Sequence, residues 1–119
     1  MESAIIFDYT PEFLKAAKTL SKRYRSFKDD VKALCEEITK KPDLGDDLGN
    51  GVRKLRMAIK SKGKGKRGGA RVISFMVAMD IDKDTNSKVT LLYVYDKSDM
   101  ENVSENKIRQ IISDNFLRQ

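Results

Sequence analysis

Near Val52 the apolar residues of this 119-residue chain change their spacing, and that change separates a helical stretch from a sheet. Phe13, Ala17, Leu20 and Tyr24 recur every three or four positions, and so do Phe27, Val31, Leu34 and Ile38. Each set lines one side of an α-helix. From Val52 the spacing becomes two: Leu55, Met57 and Ile59 point one way, and Lys54, Arg56, Ala58 and Lys60 the other. Residues 42–51, rich in Gly, Asp and Asn, read as a turn-rich link from helix to sheet.

Boundary residues sharpen this division. Residues 4–7 form a short first strand, and Thr10 caps a helix with Pro11 at its first position, where a missing N–H costs nothing. Ser26 opens a second helix, with Asp29 as an approximate capping box. Lys40 and Lys41 suit the negative end of that helix, and Pro42 stops it. The two helices are nearly contiguous, which predicts an antiparallel helical hairpin. Residues 70–81 are apolar on both faces and predict a central strand covered by helix on one side. A polar turn over 82–87 leads to another strand over 89–95. Ser104 caps a last helix, Val103 staples onto Ile108, and Ile108, Ile111, Ile112 and Phe116 make its buried stripe. The expected fold is α+β and fills residues 1–119 as a single domain. An N-terminal strand and a helical hairpin precede a mainly antiparallel sheet and a C-terminal helix.

Charge is distributed very unevenly. No Asp or Glu occurs from Leu48 through Met79, a window that holds nine cations: Arg53, Lys54, Arg56, Lys60, Lys62, Lys64, Lys66, Arg67 and Arg71. The chain as a whole carries 24 cations and 18 acids. Outside the window the acids are in excess, so the positive charge is a local device. Cations without nearby acids imply an external anion, and phosphate backbones are the commonest one. Glycines at 63, 65, 68 and 69 let the loop backbone follow such a chain while the lysines neutralise it.

Several function classes are excluded. Residues 63–68 match G-x-G-x-x-G, but the dinucleotide-binding version must follow a strand and open a helix, and here it joins two strands. The chain is too short for a kinase and lacks the Gly-Lys-Ser/Thr end of a P-loop. With no histidine and one cysteine, it has neither a Ser-His or Cys-His nucleophile pair nor a zinc site. Neither a metal nor a cofactor is called for. Cys35, set among helix-spaced apolar residues, reads as a small buried hydrophobe. No apolar run approaches the roughly 18 residues that span a membrane, and residues 1–4 do not open a signal peptide. A reducing, cytoplasmic location is the default expectation.

Three segments carry a family resemblance: residues 53–56 (Arg-Lys-Leu-Arg), residues 60–73 with their K-G-K-G-K-x-G-G-x-R core, and residues 91–98 (Leu-Leu-Tyr-Val-Tyr-Asp-Lys-Ser). From Pro42 to about Ile112 the chain resembles RelE/HigB-type toxins of bacterial toxin–antitoxin modules. The resemblance implies a ribosome-dependent endoribonuclease that cuts mRNA by attack of the 2′-hydroxyl on the adjacent phosphate. It implies the ribosome, mRNA and a tight cognate antitoxin as partners. Such chemistry asks for a base, stabilisation of extra phosphate charge, and an acid for the departing 5′ oxygen. Carried over, Lys54 and Arg56 match active-site cations on the first sheet strand, Arg71 matches the phosphate-holding arginine, and Lys97 matches a cation after the last strand. Arg53, Lys60, Lys62, Lys64, Lys66 and Arg67 are expected to bind RNA. Tyr93 and Tyr95 read as strand packing. Two other readings stay open: a same-fold, gyrase-poisoning toxin like the ParE relatives, and a non-catalytic RNA- or ribosome-binding protein.

Overall fold

Thr10 joins the helical part to the sheet. Its hydroxyl oxygen accepts from the Phe13 N–H at 3.0 Å, capping the helix that starts at Pro11. The same hydroxyl donates to the Leu92 carbonyl at 2.7 Å, and the Thr10 N–H donates to the Leu91 carbonyl at 3.2 Å. One buried side chain thereby ends a strand, starts a helix and docks that helix on the sheet. This arrangement is seen in a computed structural model that describes residues 4–78 and 86–117.

The elements run β1 (Ala4–Tyr9), α1 (Pro11–Arg23), α2 (Phe27–Lys40), β2 (Asp46–Gly49), β3 (Val52–Met57), β4 (Ala70–Ala78), β5 (Asn86–Asp96) and α3 (Glu105–Ile112). A 3₁₀ turn spans Lys60–Lys62, and a π-helical stretch, Ser113–Leu117, extends α3. The sheet order is β1-β5-β4-β3-β2. Strands β3, β4 and β5 form the expected antiparallel meander, and β1 joins the edge of β5 in parallel.

The sheet is covered on both faces. On the first face Phe13, Leu20, Phe27, Leu34 and Ile38 from the helical hairpin pack against Leu55, Met57, Val72, Leu91 and Val94. Each such side chain, fully buried, contributes about 1.5–3 kcal/mol relative to exposure. On the second face Ile108 and Ile111 of α3 seal Val52, Ile73 and Leu92. The expectation of helix on one side of the central strand was therefore too narrow.

Other expectations also need correction. Residues 42–51 are not all turn, because Asp46–Gly49 pairs with β3 as an edge strand. The Ser26 capping box does not form. The Ser26 hydroxyl instead meets Asp30 at 2.7 Å and Ser61 at 2.9 Å, tying the start of α2 to the 3₁₀ turn. Phe116 is 39% exposed because the π-helical stretch shifts its phase, although its ring still meets Phe75 edge-on at 5.1 Å. Cys35 is half-buried against the first core. The expected extension of β4 to residue 81 and most of the polar turn over 82–87 lie outside the described residues.

Candidate active site

Helix α3 covers only part of the second sheet face. Beyond it the same strands present Lys54 and Arg56 from β3 and Arg71 from β4. Register places Arg56 directly opposite Arg71, and Lys54 opposite both Ile73 on β4 and Asp46 on β2. Like charges paired across adjacent strands are destabilising. A polar pocket of about 390 Å³ opens here, lined by Asp46, Lys54, Arg56, Arg67, Arg71, Lys97, Glu101 and Asn102.

Arg71 is the most constrained of these. It is only 6% exposed, and its guanidinium donates to the carbonyls of Lys66 (2.9 Å), Ala70 (3.1 Å) and Arg67 (3.0 Å). All three acceptors are neutral, so the side chain is held without losing its net charge. Burial, then repulsion from Arg56, pulls Arg71 below the usual arginine range, while Tyr95 pulls it back up. Lys54 Nζ donates to Asn102 Oδ1 at 3.0 Å. Lys97 Nζ pairs with Glu101 Oε1 at 3.1 Å, and its backbone N–H donates to the Gly69 carbonyl at 3.0 Å. Among the described residues, no ion pair neutralises Lys54, Arg56, Arg67 or Arg71.

A family model described as the RelE toxin of the RelE/RelB toxin–antitoxin system matches residues 13–115. The chain belongs to the RelE toxin family. The match takes in most of the helical hairpin as well as the sheet, so it reaches further towards the N-terminus than the resemblance read from the basic segments. The small α+β architecture, with its helical hairpin and mainly antiparallel sheet, is consistent with membership.

In this RelE-family chain the pocket gathers the four residues named as catalytic, Lys54, Arg56, Arg71 and Lys97, together with Arg67. The other loop cations go elsewhere. Arg53 projects to the opposite face and donates to the Asp43 and Gly45 carbonyls at 2.9 and 3.0 Å, bracing the turn before β2. Lys62 is drawn inward to Asp96 Oδ1 at 2.7 Å and Ser98 Oγ at 2.6 Å. Lys66 pairs with Glu37. Lys60 and Lys64 are exposed and outside the pocket lining. The premise that the window lacks acids to pair with is thus corrected, because folding brings acids from α2 and β5 to it.

Three pocket residues were not foreseen: Asp46, Glu101 and Asn102. Asp46 arrives through the edge strand, and the other two through the segment after β5. Tyr95 is a fourth surprise. It pairs in register with Arg71, and among the described residues its buried hydroxyl has no hydrogen-bond partner. Burial raises its pKa more than the Val103 backbone and Arg71 lower it. Among the described residues, no helix is long and apolar enough to cross a membrane.

Proposed function

We propose that this toxin is a ribosome-dependent endoribonuclease that cuts mRNA by attack of a 2′-hydroxyl on the adjacent phosphate. The supporting observation is Arg71, buried, held by three backbone carbonyls and opposed by Arg56 across the strand pair. A fold that tolerates this repulsion has a pocket preorganised for a dianionic phosphate. Arg71 and Arg56 hold the non-bridging oxygens as charge builds. Arginine stays protonated at neutral pH, so proton transfer falls to Lys54 and Lys97, one from each side of the pocket. Arg67 and the exposed Lys60 and Lys64 guide the strand.

The pocket is also the surface for an acidic segment of a RelB-type antitoxin, which would occlude Lys54, Arg56 and Arg71. Titration calorimetry against the triple alanine variant is expected to show weakened antitoxin binding. Unchanged affinity would leave only steric exclusion from the ribosome.

The deciding experiment incubates the protein with translating ribosomes and maps mRNA ends. New 3′ ends bearing 2′,3′-cyclic phosphate are expected, because 2′-hydroxyl attack forms that ring. Arrested ribosomes with intact mRNA would favour a binding protein. Inhibited gyrase with unaffected ribosomes would favour a ParE-like toxin.

A further inference from the structure

Asp96 closes β5 and sits outside the cation pocket, yet it is 1% exposed and accepts from four donors. Its Oδ1 takes Lys62 Nζ at 2.7 Å and the Ser98 N–H at 2.9 Å. Its Oδ2 takes Arg23 Nη1 at 3.1 Å and the Tyr24 hydroxyl at 2.5 Å. A carboxylate offers about four acceptor positions, and here all are filled. Asp96 is therefore unable to exchange a proton with substrate, and whatever it does passes through the groups it holds. Those groups come from three chain segments: the end of α1, the basic loop, and the turn that carries Lys97.

The loop is clamped at a second point. Asp30 Oδ2 accepts the Lys60 N–H at 3.1 Å and the Ser26 hydroxyl at 2.7 Å, and the Ser61 N–H donates to Ser26 Oγ at 2.8 Å. Two buried carboxylates thus fix the arm over 60–62, while the return arm supplies the Lys66 and Arg67 carbonyls that orient Arg71. On the other side of Asp96, the next residue's N–H ties Lys97 to Gly69. The loop splits into an anchored arm and a presenting arm, and Asp96 holds the anchored one.

We infer that Asp96 is a positioning residue for the cation pocket: through Lys62 it fixes the basic loop so that the loop's carbonyls aim Arg71, and through the β5 end it sets Lys97. This rests on the endonuclease reading for its catalytic consequence and on the loop geometry alone for its structural one. Lys62 is then a structural cation, not an RNA contact.

The test is a double-mutant cycle of Asp96→Asn and Lys62→Met, read by cleavage on programmed ribosomes and by deuterium exchange of the amides over 63–69. In folded protein each single variant is expected to lower kcat roughly 10- to 100-fold, the cost of a misplaced catalytic group, with a smaller change in KM. The double variant should lose no more than the worse single, because both break one linkage. Loop amides should exchange faster in all three. Folded single variants with wild-type kcat, additive losses, or unchanged loop exchange would each overturn the inference. Should Asp96→Asn fail to fold, Lys62→Met decides alone by the same two readings. A wild-type protein that cuts nothing would sink the endonuclease reading instead, and the exchange measurement would still judge the clamp.

Discussion

Val52, Ile73 and Leu92 share a sheet face with Lys54, Arg56 and Arg71, yet the first set is sealed under α3 and the second lines a pocket. Strand alternation puts Val52, Lys54 and Arg56 of β3 on one side, with Arg71 and Ile73 of β4 beside them, and a register shift in the β4–β5 pairing adds Leu92. What separates them is the reach of one helix. At eight residues α3 is about 12 Å long, against about 36 Å for the eleven residues of β5. The covered half gives the domain its second core. The open half lowers stability, through facing arginines, and holds charge ready for an anion.

The largest effects are expected on the open half. Lys54→Ala, Arg56→Ala and Arg71→Ala should each slow single-turnover mRNA cleavage by about 100-fold, the usual cost of one charge-stabilising contact. Thermal melts should show folded proteins, and Arg56→Ala should be no less stable than wild type, since it relieves the pairing with Arg71. Wild-type rates in the folded variants would remove these residues from the site. Ile73→Ala makes the matching break on the covered half. It should cost about 2–5 kcal/mol in denaturant unfolding while leaving the rate per folded molecule near wild type. A large rate loss without destabilisation there would show that the two halves are not separate.

The helices were legible because their stripes are long and their ends well marked: Thr10 caps α1 as read, and Ser104 caps α3. Strand β2 was not, because all four of its residues are exposed and only pairing with β3 makes it a strand. Two of the pocket's cations were legible from period two, which set Lys54 and Arg56 on one side of β3, while Arg71 and Lys97 were legible only through the family resemblance. Their neighbours Asp46 and Asn102 were not, since nothing local marks a residue that tertiary folding brings in. The same reason defeated the reading of the loop. Lys62 meets an acid 34 positions away, and Lys66 one 29 positions away. Absence of acids in a stretch of sequence says nothing about absence in space.

A second comparison lies within the basic loop, between its anchored and presenting arms. Neutralising Lys64, Lys66 and Arg67 together should weaken ribosome or RNA binding more than it slows chemistry in the bound state. Removing one phosphate-binding charge should flatten the dependence of log affinity on log salt by less than one unit. Lys62→Gln should leave that slope unchanged, because its ammonium is spent on Asp96. Equal slope changes for Lys62 and for the presenting cations would erase the distinction between the arms.

The smallest effect is expected in acid. Burial alone would raise the Asp96 carboxyl, but Lys62, Tyr24 and the Ser98 N–H together hold it well below the usual carboxylate range, with Arg23 also in contact. A carboxylate bound more weakly by protons in the folded state stabilises the fold above its unfolded pKa, which is about 3.9. That contribution is complete at neutral pH and is lost as pH falls through the depressed folded value. Wild type should therefore be more stable than Asp96→Asn at pH 7, and the gap should narrow steadily below about pH 4. Chemical denaturation across that range reads the gap directly. A difference independent of pH would mean that Asp96 acts by shape and hydrogen bonding alone, and that its charge is not what anchors Lys62.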